Sequence, residues 1–329
     1  ENSPLVKYFV DFKGPDARPS AIQNVYSRFD CDSADTRYIL LFADSKPRWH
    51  LYDGRTFAYI KPLDIPSGSS EGGSGEPRWD WRDPSLLYFV QGTRLLKLNV
   101  ETGEKTVIRD FAPQLPAGAR RVYTQDEGDS SVDGMKWALK TDTASAAWLW
   151  YDRLLDKVHV STGVPETDHV STSSLGGFFT VGGAGGIWSV LPDFSARNQL
   201  NPRGGHSDLA VDAEGNEVIV YYASQTGWFE MLNLDTGKKT RLISMGHHRP
   251  KDLSRTGKYY SVHFSGNCIA TPGWILVSTY RGDPYQVQMW QNQSVFMLEL
   301  KENPRVWRGP HPLPLGRGQG QRLPGRSLR

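Results

Sequence analysis

Two stretches carry side chains able to move protons. In Arg203-Gly204-Gly205-His206-Ser207-Asp208, a histidine stands two residues before an aspartate. On an extended strand that spacing puts both on one face, so His206 could serve as a general base or a metal ligand near the channel mouth. The same Gly-His and Asp pattern can instead fasten a strand entrance by hydrogen bonds, and the residues alone leave both readings open. The second stretch runs from Val262-His263-Phe264 through Thr271-Pro272-Gly273-Trp274 to Ser278-Thr279-Tyr280-Arg281. A phenol can donate or accept a proton, and a guanidinium can neutralise a carboxylate by paired hydrogen bonds. Tyr280 and Arg281 are adjacent, so a strand would turn them to opposite faces. The plainer alternative is a rim tyrosine beside a solvated arginine.

Other clusters carry less. Asp126, Glu127 and Asp129 could attract a cation, but they lack the alternating ligands and closing Glu of a calcium loop, so a turn is expected. His247-His248 lies in a polar loop, and His50, His159, His169 and His311 have no partner pattern. There is no phosphate-cradling glycine loop, serine elbow or His-x-x-x-His, and the sequence specifies neither metal ligands nor a cofactor. Trp79, Trp81, Trp228, Trp290 and Tyr285 fall in or beside loops, where aromatic faces stack on sugars or pack between elements. Arg203, Asp208, Trp228 and Trp290 are accordingly the candidate substrate-binding residues.

The elements that must position these groups are strands. An apolar run, a short acidic turn and a second apolar run recur along the chain. Asp53, Glu101, Asp152, Asp193 and Asp235 follow one another at intervals of 48, 51, 41 and 42 residues, and a weaker copy lies at Met297-Leu298-Glu299-Leu300-Lys301. Such intervals suit a four-stranded propeller blade of roughly 40–50 residues. Glu101-Thr102-Gly103 and Asp235-Thr236-Gly237 carry the residues of a tight hairpin. Runs such as Leu86-Leu87-Tyr88-Phe89-Val90 are apolar throughout, as strands covered on both faces are. The expectation is an all-β, single-domain β-propeller of about seven four-stranded blades, the last incomplete. It would occupy 1–308, with Val6–Phe12 completing a seventh blade from the N-terminal side and a basic Gly/Pro/Arg-rich tail at 309–329.

Bulk properties narrow the class. A net charge of +2 gives no reason to expect nucleic acid, and no apolar run approaches the roughly 20 residues of a membrane span. The two cysteines, Cys31 and Cys268, are too few for a disulfide framework. The chain begins Glu1-Asn2-Ser3-Pro4, as a processed product would, and a secreted or periplasmic location is expected.

Arg78-Trp79-Asp80 ahead of Asp83-Pro84-Ser85-Leu86-Leu87-Tyr88-Phe89 resembles the blade entrances of the propeller-fold polysaccharide lyases, the ulvan and oligogalacturonate lyases. Pro272-Gly273-Trp274 to Tyr280, followed by Phe296-Met297-Leu298-Glu299-Leu300, is similar to the same group. The resemblance implies β-elimination on a uronic-acid glycan, with His206 or His263 as base, Tyr280 as acid and Arg281 against the uronate carboxylate. A late His and Gln metal cluster, as in the oligogalacturonate type, is missing, since only His311 follows His263. The alternative is a non-catalytic propeller that holds a glycan or a protein on the same face.

Overall fold

The turn residues divide the chain into short antiparallel strands. The computed structural model describes residues 22–23, 32–43, 48–66, 77–124, 130–131, 133–143, 147–161, 169–173, 179–183, 186–202, 207–223, 228–244, 259–265, 273–282, 294–301 and 306–307. These residues form six four-stranded sheets, each built from consecutive strands in chain order, as in a β-propeller. The first holds β1 (Ile22–Gln23), β2 (Tyr38–Ala43), β3 (Trp49–Asp53) and β4 (Tyr59–Leu63). The second holds β5 (Arg78–Trp79), β6 (Leu86–Gln91), β7 (Arg94–Asn99) and β8 (Lys105–Asp110). Next come β9 (Val122–Tyr123), β10 (Lys136–Thr141), β11 (Trp148–Asp152) and β12 (Lys157–Ser161). The fourth sheet is β13 (His169–Thr172), β14 (Phe179–Gly183), β15 (Gly186–Val190) and β16 (Arg197–Asn201). The fifth is β17 (Ser207–Val211), β18 (Glu217–Ala223), β19 (Trp228–Asn233) and β20 (Lys239–Ser244). The sixth is β21 (Tyr259–Ser265), β22 (Trp274–Gly282), β23 (Ser294–Glu299) and β24 (Val306–Trp307).

About seven blades were expected, and six sheets are found among the described residues, one for each countable acidic turn. Each of these sheets is complete in itself, so none draws strands from both termini. Val6–Phe12 and residues 309–329 lie outside the described residues.

The core sits in the seams between successive sheets. On β6, Leu87 and Phe89 join Leu40, Trp49 and Leu51 of the first sheet, while Tyr88 and Val90 join Trp137, Leu139 and Tyr151 of the third. One strand thus buries both faces, which is why its sequence shows no polar alternation. Ala138, Trp148, Trp150 and Val190 fill the seam between the third and fourth sheets. Ile187, Leu209, Ile219 and Tyr221 fill the next. Ala210, Val218, Val220, Phe229, Leu298 and Leu300 join the fifth sheet to the sixth.

One backbone hydrogen bond recurs and fixes a common register. An amide in the hairpin between the third and fourth strands donates to the carbonyl of a residue at the start of the second strand. The pairs are Gly54 to Arg37, Val100 to Ser85, Arg153 to Met135, Leu234 to Glu217 and Leu300 to Gly273, at 2.7–3.1 Å. The residue opening each hairpin then governs the turn. Asp53, Asn99 and Asn233 each accept from the amides two and three residues ahead. The matching positions are therefore Asp53, Asn99 and Asn233, so Glu101 and Asp235 are each two residues past the true repeat position. Four residues after these openers the backbone turns left-handed at Phe57, Gly103 and Gly237. Left-handed backbone also occurs at Asp156, four residues after Asp152, and at Phe194, four after Val190.

Because the strands alternate in direction, first–second and third–fourth connections share one end of the propeller. Second–third connections and the links between sheets share the other, called here the linker end.

Candidate functional site

β21, the innermost strand of the sixth sheet, pairs with β22 so that His263 is opposite Ser278 and Ser261 opposite Tyr280. His263 and Tyr280 are therefore diagonal neighbours on one face of the sheet, about two residues apart along the strands. Arg281, opposite Tyr260, falls on the other face. That face also carries Ile275, whose partner Leu298 packs in the seam with the fifth sheet. The register thus brings His263 and Tyr280 together and sets Arg281 apart from them. β22 rises to Gly282, so Tyr280 stands at the linker end.

The other candidates distribute as follows. His206 and Arg203 lie outside the described residues, as do Trp290, Tyr285, His247, His248 and the stretch 125–129. β17 begins at Ser207, immediately after His206 and at the linker end. Asp208 is 1% exposed, and one carboxylate oxygen accepts from the Leu209 amide at 2.8 Å. Trp228 begins β19 at the linker end and is half-buried, with the Arg241 guanidinium 5.6 Å from its ring centroid. Arg241 pairs with Glu230 at 3.6 Å, and the Tyr221 hydroxyl donates to Glu230 at 3.0 Å. Burial, then the Glu230 bond, pushes the Tyr221 phenol well above its usual range. Trp79, expected beside a loop, is instead buried at 5% exposure and stacks on Tyr38 with centroids 6.3 Å apart. Trp81 is half-buried and carries the Arg82 guanidinium 4.1 Å from its ring centroid.

The common register also defines levels along the channel. Counting five residues from the anchoring carbonyl on each second strand reaches Phe42, Lys140 and Ser278. Their partners on the innermost strands are Gln23, Tyr123 and His263. In the fifth sheet the pairing closes one step short of this level, with Ser207 opposite Tyr221. Gln23 and Tyr123 were not singled out from sequence, because the short innermost strands carry no periodic signal; the anchoring carbonyls reveal them.

This architecture is shared with solved structures. An oligogalacturonate lyase in complex with manganese superposes with a TM-score of 0.51 at 11% identity, covering 88% of this chain and 89% of that one. The oligogalacturonate lyase of Vibrio parahaemolyticus gives 0.51 at 13% identity, covering 87% and 78%. The Cps50 (Swd1) β-propeller domain of Myceliophteria thermophila gives 0.49 at 11% identity, covering 88% and 89%. At these identities the likeness to the two lyases shows the propeller fold alone. No protein-family model matches the chain, and no curated protein matches its sequence. Among the described residues no three His, Cys, Asp or Glu side chains converge as a metal site requires. No helix among them is long and apolar enough to cross a membrane.

Proposed function

We propose that this protein is a carbohydrate-active β-propeller that cleaves a uronic-acid-containing glycan by β-elimination. The observation that carries the reading is the register of β21 and β22, which sets His263 and Tyr280 as neighbours on one sheet face near the linker end. The fold likeness to two oligogalacturonate lyases supports the same class of substrate. In the proposed reaction His263 takes the proton from C5 of the uronate. The electron pair of that C–H bond forms the C4–C5 double bond, the C4–O bond breaks, and Tyr280 protonates the departing oxygen. Abstraction at C5 requires the neighbouring carboxylate to be neutralised, the role that the resemblance to the lyases implies for Arg281. His206 and Arg203 precede β17 and are the further candidates for the base and for substrate contact, with Trp228 as a stacking surface. A secreted or periplasmic location suits such a substrate.

The test is a panel of polygalacturonate, alginate, ulvan and glucuronate polymers followed by ultraviolet absorbance, since each elimination creates an unsaturated uronate. Growth of absorbance on at least one polymer, lost in His263→Ala and reduced about 100-fold or more in Tyr280→Phe, is the expected result. Binding of a polymer without any absorbance growth would replace the lyase reading with that of a non-catalytic glycan-binding propeller.

A further inference from the structure

We infer that the outer edge of the third sheet is a self-association surface, where β12 pairs antiparallel with the β12 of a second copy of this chain. An outermost strand leaves a row of amides and carbonyls without a ladder partner, and proteins blunt such edges with bulges, prolines or charges. Four outer strands follow that rule: β4, β8, β16 and β20 each pair with the third strand of their sheet through a register shift, and β4 also carries Pro62. β24 is only two residues long. β12 differs. Its five residues, Lys157–Ser161, pair with Trp148–Asp152 in unbroken register, contain no proline and lie at the end of their sheet. Of the seven large apolar side chains exposed among the described residues, Leu154, Leu155 and Val160 belong to this strand and its hairpin.

The hairpin fixes which backbone groups face outward. Asp152 stands just before Arg153, whose amide makes the recurring bond to Met135, so it is equivalent to Asp53, Asn99 and Asn233. Each of those donates its amide to the carbonyl five residues ahead, at Ala58, Glu104 and Lys238. The residue five ahead of Asp152 is Lys157, its partner in the register. Lys157, His159 and Ser161 therefore bond inward to β11, while Val158 and Val160 turn amide and carbonyl outward. A second β12, antiparallel and centred on His159, sets Val158 opposite Val160 of the partner subunit, and the two-fold axis repeats that pair. Two such pairs, each exchanging two bonds, make four backbone hydrogen bonds, with β-branched side chains facing one another across the strands. Lys157 falls opposite Ser161 of the partner subunit, so no two lysines meet. The third sheets of the two copies, four strands each, then run on as one sheet.

Sedimentation velocity of the full chain at about 1–300 μM tests this, a range suited to a contact of one strand pair. A monomer–dimer equilibrium is the expected result. Val160→Lys puts a charge on the pairing strand at a position that is 40% exposed, so the monomer has little reason to unfold. Val158→Pro removes an outward amide that the sheet itself does not use. Each change should weaken the dimer about tenfold or more. Val107→Lys, at a 49% exposed position on the bulged β8, should leave the dimer as it is in the wild type. A wild type that stays monomeric throughout the range overturns the inference. So does a dimer that Val160→Lys leaves intact, or one that Val107→Lys weakens as much. Should Val158→Pro not fold, Val160→Lys and its control on β8 decide the matter between them.

Discussion

Two turns that precede second strands are built alike, yet one of them carries the wrong residue for its backbone. In the first sheet the Ser33 hydroxyl donates to Asp35, Asp35 accepts from the Arg37 amide, and Ser33 accepts from the Tyr38 amide. In the third sheet Ser131, Asp133, Met135 and Lys136 repeat these bonds. The residue after the aspartate is left-handed in both, Thr36 at φ 60° and Gly134 at φ 63°. A left-handed backbone costs an L-residue roughly 1–2 kcal/mol, and a β-branched one sits at the upper end. Glycine avoids that cost but loses roughly 0.5–1 kcal/mol more conformational freedom on folding. Thr36→Gly should therefore stabilise the protein by about 0.5–1 kcal/mol. The reciprocal change Gly134→Ala has room, since an added Cβ would come no closer than 3.6 Å to the Tyr88 ring. Its cost is therefore backbone strain alone, about 0.5–1 kcal/mol of destabilisation. Equilibrium urea unfolding of both variants beside the wild type measures the pair. Both midpoints moving down, or neither moving, would refute the claim that backbone conformation decides these two positions.

Two further changes test the first sheet. Gly54 donates its amide to the Arg37 carbonyl at 2.7 Å, and a Cβ added there would lie 1.8 Å from the Thr36 carbonyl oxygen. Gly54→Ala should thus force the two turns apart and cost more than about 3 kcal/mol, visible as a large fall in urea midpoint. Asp32 is raised to about 6, mainly by burial and against a backbone hydrogen bond that lowers it. A folded pKa above the unfolded value of 3.8 means the native state holds its proton more tightly. Stability is then greatest at low pH and is lost as pH rises from about 4 to about 6. The full shift corresponds to about 3 kcal/mol, and residual solvent contact at Asp32 reduces the expected loss to about 1–2 kcal/mol. Asp32→Asn should remove this slope, read as urea midpoints at pH 4.5 and pH 7; an unaltered slope would show that another group carries it.

The sequence made the repeat visible because second strands such as β6 and β10 are buried and several hairpins carry Asp, Asn or Gly at fixed places. Those features are local: Leu86 to Val90 needs cover on both faces, and a five-residue hairpin needs a left-handed residue at a fixed place. The exact register was harder to read, because Glu101 and Asp235 are exposed and sit beside the residues that organise the turns, Asn99 and Asn233. Acidic side chains on a turn attract notice, while the amide side chains that accept its backbone bonds do the organising. Trp79 misleads for a similar reason. It stands next to a charged turn in sequence but belongs to a two-residue strand whose ring stacks on Tyr38 of the preceding sheet.

The candidate site was legible only in part, and the reason lies in how a propeller assembles its channel. Each innermost strand contributes one or two residues at a given level, and these are separated by a whole blade in the chain. No window of sequence contains two of them. His263 and Tyr280 were found together because they occupy paired strands of one sheet. Tyr123 went unnoticed because its level is defined by the hydrogen bond from Arg153 to Met135, and His263's by the one from Leu300 to Gly273. Counting from those two carbonyls is what makes the residues equivalent. The same count puts the buried Arg78 and the buried Asp208 at one shared level, each opposite the residue three positions past its anchoring carbonyl. A cation and an anion therefore occupy matching register positions in different sheets, so the same backbone place carries opposite charge in two blades.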